Sequence, residues 1–148
     1  MEIPEVRYAK TADGTHIAFQ VFGQGPRDLV YVPGFISNLL LNWELPGMAH
    51  ILDRLGRFAR VVAIDHRGTG LSDRLPPGQL PPLETQMDDL TAVMDAVHIR
   101  KAHLFVGRRR GRAVRAVRDE LPRARGVALR VRAHPEVVPR GRLPVRAR

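Results

Sequence analysis

The chain has 148 residues, with 24 Lys and Arg against 15 Asp and Glu for a net charge of +9, and it contains no cysteine. This length suits one domain with a hydrophobic core, and the lack of cysteine excludes disulfides, thiolate metal sites and cysteine nucleophiles. No apolar run approaches the roughly 20 residues that span a bilayer, and the acidic N-terminus has no apolar signal region, so we expect a cytoplasmic protein without a membrane segment.

The positive charge is confined to the C-terminal part of the chain. Residues 1–107, here called the body, contain 10 basic and 12 acidic residues, whereas residues 108–148, here called the tail, contain 14 Arg and three acidic residues. The net charge is therefore −2 in the body and +11 in the tail. We expect the body to be a partial domain and the tail not to be a domain, so the basic pI carries no information about partners of the body.

The first predicted elements are strands. Residues 6–10 and 16–22 flank a turn with Asp-Gly at its centre, and apolar residues alternate along the second segment, as in a hairpin. Residues 29–32 are continuously apolar, which is typical of a strand buried on both faces, and Pro33-Gly34 ends the run.

Helices and strands then alternate. Apolar residues at i, i+3, i+4 and i+7 predict an amphipathic helix over 46–58, and a second continuous apolar run predicts a strand over 61–64. The stripe of this helix consists of Met48, Ile51, Leu52 and Leu55.

A second helix and a third buried strand complete the body. Thr85 with Asp88 three residues later is a capping signal for a helix over 85–98, and residues 102–106 form a short apolar run. The predicted buried stripe of this helix consists of Met87, Leu90, Met94 and Val97.

This order of elements predicts an α/β fold in which an antiparallel hairpin precedes parallel strands joined by right-handed crossover helices. The tail is expected to be irregular or partly helical, with helix favoured over 112–121, where Val alternates with Arg.

Three motifs follow these elements at regular places. Val32-Pro33-Gly34-Phe35 follows the third strand, residues 65–73 read Asp-His-Arg-Gly-Thr-Gly-Leu-Ser-Asp after the fourth, and Asp88-Asp89-Leu90 lies in the second helix. Together they resemble the N-terminal half of the α/β-hydrolase family over about residues 1–107. The opening turn and the Arg-Gly-Thr-Gly-Leu-Ser-Asp wording are most similar to hydrolase domains found fused to adenylate cyclases.

The resemblance implies an oxyanion hole and a structural loop. In the family, the residue after the Gly of the first motif lends its backbone N–H to the oxyanion hole, which makes Gly34 and Phe35 the candidates here. The resemblance also implies a parent protein, meaning a complete hydrolase from which this chain derives. It implies that the parent acted on an ester-like small molecule and used no cofactor or metal ion. The residues of the second motif with implied structural roles are Asp65, Arg67, Gly68, Gly70, Ser72 and Asp73.

The nucleophile of the family is missing. The family places a G-x-S-x-G elbow directly after the fifth strand, followed later in the chain by the acid and the His of the triad. Here the elbow reads Gly107-Arg108-Arg109-Arg110-Gly111, with Arg109 in the place of the serine. A guanidinium group stays protonated and only donates hydrogen bonds, so no catalytic set is intact and we expect an inactive chain.

Other polar residues offer no replacement in the sequence. Ser37 follows the third strand without a base nearby in sequence, and a loop-capping role is preferred for Ser72. His66 is a conceivable base beside the first motif, although a position that merely flanks the turn is the preferred interpretation. His134 lies among prolines and arginines, and we assign it no chemical role.

The composition of the tail indicates a shifted reading frame. Every tail residue is of a type that a codon beginning with G or C can encode, whereas 29 of the 107 body residues are of types that cannot be so encoded. The same proportion would place about eleven such residues in the 41-residue tail, which contains none. In G+C-rich DNA the third base of a codon is nearly always G or C. A frame shift that moves this base to the first position would restrict the tail to codons that begin with G or C.

The same frame shift also restricts which residues the original frame encoded. The second base of each tail codon would be the first base of an original codon, so residues 121–125 (Leu-Pro-Arg-Ala-Arg) are compatible with an original Tyr-Pro-Glu-Arg-Val. Residues 109–111 are likewise compatible with Glu or Asp followed by Gly-Gly. The junction would lie within about residues 105–110.

Two other interpretations stay open. The arginines of the tail would bind nucleic acid or another polyanion with steep salt dependence, although the tail has no aromatic residue to stack on bases. The body would bind a partner that supplies further strands, or it would self-associate through an exposed sheet edge.

Overall fold

A six-stranded mixed sheet organises the chain in a computed structural model that describes residues 2–34, 37–107 and, as backbone, 127–132. The strand order is β1-β2-β4-β3-β5-β6. The first two pairs and the last pair are antiparallel, whereas β3 is parallel to both β4 and β5. The strands are β1 (Val6–Lys10), β2 (His16–Phe22), β3 (Asp28–Val32), β4 (Arg60–Ile64), β5 (Lys101–Val106) and β6 (Val127–Arg132).

The second strand of the hairpin, β2, is an inner strand of the sheet. β2 pairs with β1 on one edge and with β4 on the other. Residues 17–20, which alternate between the two faces of the sheet, are all buried. Gln20 is therefore fully buried, and its amide is satisfied on both ends. It donates to the Pro4 carbonyl at 2.6 Å and accepts from the Trp43 indole N–H at 3.0 Å, which ties the N-terminus to the first helix.

Within the described residues, three helices cover the two faces of the sheet. A short α1 (Leu41–Glu44), which no pattern predicts, leads into α2 (Pro46–Phe58). α2 packs on the face that carries Tyr31 and Val61, and α3 (Leu83–Ala96) packs on the face that carries Val30 and Val62. Neither helix is long enough to cross a bilayer, and no other helix in the described part of the chain is.

The helix predictions were right in existence and wrong in detail. α3 begins at Leu83 rather than Thr85, with Pro82 at its N-cap, so the capping signal of Thr85 is not used. Met87 is 36% exposed because the first turns of α3 present Asp89 to the protein interior, where Arg67 binds it. In α2 the stripe is narrower than predicted, with Leu52 buried and Ile51 45% exposed.

The tail contributes a strand. The prediction of irregular or partly helical chain is wrong for residues 127–132, which form β6 and pair with all six residues of β5. The edge of β5 that the sequence predicted to be exposed is thus covered. The apolar residues of the two strands are Cα partners: Val127 with Val106, Leu129 with Leu104, and Val131 with Ala102. The favoured helix over 112–121 lies outside the described residues.

Candidate active site

The described residues of the first two motifs follow the carboxyl ends of the parallel strands β3 and β4. The chain leaves β3 toward α2 on one face of the sheet and leaves β4 toward α3 on the other face. Diverging connections of this kind create a crevice, which is where open α/β sheets bind ligands. Two loops border it: the β3 loop (residues 33–40, of which 35 and 36 lie outside the described residues) and the β4 loop (residues 65–73).

Asp65 holds the two loops together. Its side chain is fully buried, and Oδ2 accepts hydrogen bonds from the backbone N–H of Leu39 at 3.2 Å and of Leu71 at 2.9 Å. Oδ1 is buried without a hydrogen-bond partner in the described part of the chain. Because this carboxylate accepts a hydrogen bond from the backbone of each loop, it holds the two loops in a fixed relative position.

Two glycines allow the β4 loop to close on itself. A Cβ on Gly70 would lie 2.1 Å from Asp65 Oδ2, and the φ of Gly70 is +52°, so a side chain there would both clash and strain the backbone. Gly68 has a φ of +81°, and a Cβ there would lie 2.9 Å from Leu75 Cδ1. The Gly-x-Gly spacing of the motif is explained by this packing.

Neither serine of the described body faces a base. Ser72 Oγ accepts from Ala18 N–H at 2.8 Å and donates to the Asp65 carbonyl at 2.7 Å, so it joins the β4 loop to β2. Ser37 Oγ lies 3.2 Å from Thr69 Oγ1, which itself donates to the His66 carbonyl. Ser37 is therefore the donor, and its proton points at a hydroxyl oxygen. Both contacts are structural, and neither activates a nucleophile.

Arg67 is the centre of an ionic network that is buried at Asp89 and exposed at Asp13. Its guanidinium binds both carboxylate oxygens of Asp89 in α3, with Nε 2.8 Å from Oδ2, and Nη1 lies 2.8 Å from Asp13 Oδ2 in the hairpin turn. The bond to Asp89 is the main cause of the raised pKa of Arg67. The bond from Arg67 likewise lowers the pKa of Asp13 well below its usual range. The network joins the β4 loop, the hairpin and α3.

Asp73 closes the other end of the β4 loop onto the hairpin. Its Oδ2 accepts from the backbone N–H of His16 at 2.7 Å and lies 3.0 Å from His16 Nδ1. The backbone N–H of His16 is the main cause of the lowered pKa of Asp73. Both side chains are about half exposed, and they bind each other on the hairpin side rather than at the crevice. The β4 loop is thus bonded to the rest of the fold at both ends.

The remaining candidates border the crevice itself. Gly34 follows the end of β3, and a Cβ on Gly107 at the end of β5 would lie 2.9 Å from the Gly34 nitrogen. Gly107 N–H extends the β3–β5 ladder by donating to the Val32 carbonyl at 2.8 Å. The oxyanion candidate Phe35 and the elbow residue Arg109 lie outside the described residues.

His66 makes a contact that sequence reasoning missed. Its Nε2 lies 3.0 Å from the carbonyl oxygen of Pro33, so it joins the segment after β4 to the segment after β3. The motif placed His66 beside the β3 loop, but only the parallel pairing of β3 and β4 brings the two chain segments into contact. Its position next to the loop was the one signal available in the sequence.

Several solved structures are similar to the described chain. An α/β hydrolase from Sphaerobacter thermophilus is 33% identical over 68% of this chain, with a TM-score of 0.53. An esterase from a Rhodococcus species is 29% identical over 67% of this chain, with a TM-score of 0.54. A hydrolase from Pseudomonas aeruginosa is 27% identical over 69% of this chain, with a TM-score of 0.57. No family model matches the sequence, and no curated protein does.

The matches cover only part of the relatives. The chain spans 35% of the Sphaerobacter protein, 34% of the Rhodococcus esterase and 36% of the Pseudomonas hydrolase, or about a third of each. About two thirds of each relative have no counterpart in this chain.

Proposed function

We propose that this chain, a member of the α/β-hydrolase fold family, forms the N-terminal part of that fold with residues 2–107, and that its parent was a serine hydrolase of ester-like small molecules. The support is the crevice at the carboxyl ends of β3, β4 and β5. The backbones of Gly34 and Gly107 lie in close contact there. In the parent, the backbone N–H of Phe35 would stabilise the oxyanion, and a serine two residues after Gly107 would be the nucleophile.

The chain itself would not catalyse this reaction. The place of the nucleophile is occupied by Arg109, whose guanidinium cannot attack a carbonyl carbon. The two serines of the body hold structural hydrogen bonds instead. A Ser–His–acid set needs a nucleophile in contact with its base and a base oriented by its acid, and the described side chains supply no such contact.

The observation that carries the proposed loss of activity is the change of composition at the elbow. The body keeps the hydrolase motifs up to Gly107, and from Arg108 onward the chain uses only residue types with codons that begin with G or C. We therefore attribute the tail to a shifted reading frame that begins within about residues 105–110. The pairing of β6 with β5 fits this origin, because an open strand edge accepts any extended backbone.

The alternative function is polyanion binding through the tail. Fourteen arginines would attract phosphate groups with an affinity that falls steeply with salt concentration. This alternative is favoured over an accidental basic sequence only if the full chain prefers one nucleic-acid sequence over another of equal length. Equal affinity for any polyanion is what unselected arginines would give.

The direct assay is hydrolysis of p-nitrophenyl esters by the purified full chain. We expect no release of p-nitrophenol above the buffer rate, because nucleophile, acid and His are not assembled. The matched control is Phe35→Pro, which removes the N–H that the β3 loop would contribute to the oxyanion hole and leaves the rest of the sequence unchanged. Hydrolysis that persists through purification and is lost in Phe35→Pro would contradict the proposal.

A further inference from the structure

We infer that Asp13-Gly14 is a latent site of isoaspartate formation, which the bonds of Asp13 to Arg67 and to its own turn keep in the ordinary aspartyl form. Asp13 is the one Asp of the chain that a Gly follows. In an Asp-Gly pair the second residue has no side chain to shield its backbone nitrogen, so this pair closes a succinimide ring most readily. The inference concerns a covalent modification and is independent of the proposed function of the parent.

The reaction needs only the peptide and water. The nitrogen of Gly14 attacks the side-chain carboxyl carbon of Asp13, and the carboxyl hydroxyl leaves as water with the proton of the N–H. Water then adds to the main-chain carbonyl carbon of Asp13, whose bond to the Gly14 nitrogen breaks. The water released in the first step is thus taken up in the second, and the main chain now runs through the side-chain methylene.

The carboxyl group of Asp13 is held on both oxygens. Oδ2 lies 2.8 Å from Arg67 Nη1, and Oδ1 accepts from the Thr11 hydroxyl and, at 3.1 Å, from the backbone N–H of Thr15. These bonds favour the carboxylate, and the bond from Arg67 is the main cause of the lowered pKa of Asp13. Ring closure expels hydroxyl from the protonated acid, so the same bonds make the reactive form scarce.

The attacking nitrogen is held as well. The Gly14 N–H donates to the Thr11 carbonyl at 2.9 Å, and the Thr11 N–H donates to the Thr15 carbonyl at 2.9 Å. The Gly14 nitrogen must give up its hydrogen bond before it can bond to the side chain of Asp13. The turn therefore has to open before the ring can close.

Arg67 is the anchor that reaches this turn from outside. Its side chain is 8% exposed and is fixed by Asp89, whereas the Asp13 side chain is 54% exposed. Water therefore reaches Asp13, and bonding rather than burial protects the site. An isoaspartyl residue would lengthen the turn by one methylene and displace the carboxyl group, so the hairpin would lose its bond to Arg67.

The test is incubation of the purified full chain near neutral pH, as the native protein and as the variants Arg67→Met and Thr11→Val. A methyltransferase specific for isoaspartyl residues counts the product, and mass spectrometry of the peptide containing residues 11–15 locates it. A neighbouring Arg lowers the pKa of an Asp by about 1–3, so Arg67→Met should form isoaspartate at least about tenfold faster than the native chain. Thr11→Val keeps Arg67 and should give a smaller acceleration. The native chain in urea should react at least as fast as Arg67→Met.

The matched control is Asp89→Asn, which disturbs the same buried network but leaves Arg67 in place for Asp13. Its rate should stay near that of the native chain. The inference is overturned if Asp89→Asn reacts as fast as Arg67→Met, because general loosening would then suffice. It is also overturned if Arg67→Met is no faster than the native chain, or if the native chain in urea forms no isoaspartate at position 13. If Arg67→Met does not fold, Thr11→Val decides, and a rate equal to that of the native chain overturns the inference.

Discussion

Replacing Arg67 with methionine is expected to lower the free energy of unfolding by about 3–5 kcal/mol, because it leaves a buried carboxylate without its partner. The Arg67 and Asp89 side chains are 8% and 6% exposed, and the guanidinium binds both oxygens of the carboxylate. Single domains are stable by only about 5–15 kcal/mol, so this loss would leave the chain marginal at room temperature. Urea denaturation followed by circular dichroism measures the change.

The control is an ion pair of the same type on the surface. Arg57 binds Asp53 one turn away in α2 and its side chain is 75% exposed, so Arg57→Met should cost no more than about 0.5 kcal/mol. The double variant Arg67→Met with Asp89→Leu should recover part of the loss, because no unpaired buried charge remains. A cost for Arg67→Met no larger than that of Arg57→Met would show that the network does not support the fold.

The same network predicts the direction of the acid response. Arg67 lowers the pKa of Asp13 below its unfolded value of about 3.9. A lowered carboxyl pKa contributes stability above the unfolded pKa, and this contribution is lost as the pH falls toward the folded value. We therefore expect the stability of the native chain to fall below about pH 4, and this fall to be smaller in Arg67→Met.

Removing the tail is expected to expose the edge of β5 and to cause self-association. The Gly107 N–H faces β3, and N–H groups alternate between the two edges of a strand, so those of Ala102, Leu104 and Val106 face β6. In a chain ending at residue 107 these three amides lose their partners, and the open edge can pair with a second copy. At low protein concentration we expect the hydrogen exchange of these amides to accelerate by at least about tenfold, which corresponds to a loss of roughly 1.4 kcal/mol of protection. As the protein concentration rises, we expect dimers or larger species to form.

A chain ending at residue 132 is the matched comparison for this deletion. This chain lacks residues 133–148 and also carries the substitutions Arg108→Ser, Arg109→Ser and Arg110→Ser. It keeps β6 but has lost seven of the fourteen tail arginines. If strand pairing is what matters, this chain behaves like the full chain in size-exclusion chromatography and hydrogen exchange. A monomeric 1–107 chain with unchanged protection of β5 would contradict the role of β6.

The sequence predicted the elements whose signals are local. Residues 6–10 and 16–22 were predicted with the bounds that the structure has, because an Asp-Gly turn and alternating apolar residues are properties of the hairpin itself. Helix α2 was predicted for the same reason, since its stripe and its Pro46 lie within one segment. The parallel orientation of β3, β4 and β5 followed from the alternation of strand and helix, whereas their order in the sheet was not predicted.

The features that were missed depend on contacts between distant residues. Asp89 enters the core because Arg67 meets it from 22 positions away, which turns Met87 outward and overrides the periodicity of α3. Gln20 is buried because Pro4 and Trp43 satisfy its amide. β6 pairs through its backbone with an edge that β5 offers, and the 112–121 periodicity gave no hint of it. The contact of His66 with Pro33 likewise exists only once β3 and β4 are paired.

The coding DNA across codons 100–125 tests the central claim most directly. The claim is that a hydrolase reading frame ends within about residues 105–110 and that the tail is read from another frame. Translation in the alternative frames should then give a Gly-x-Ser-x-Gly elbow after the codons of β5, followed some ten residues later by a segment compatible with Tyr-Pro-Glu-Arg-Val. If neither alternative frame contains a serine followed within two residues by glycine at this place, the tail is genuine sequence and the frame-shift account is wrong.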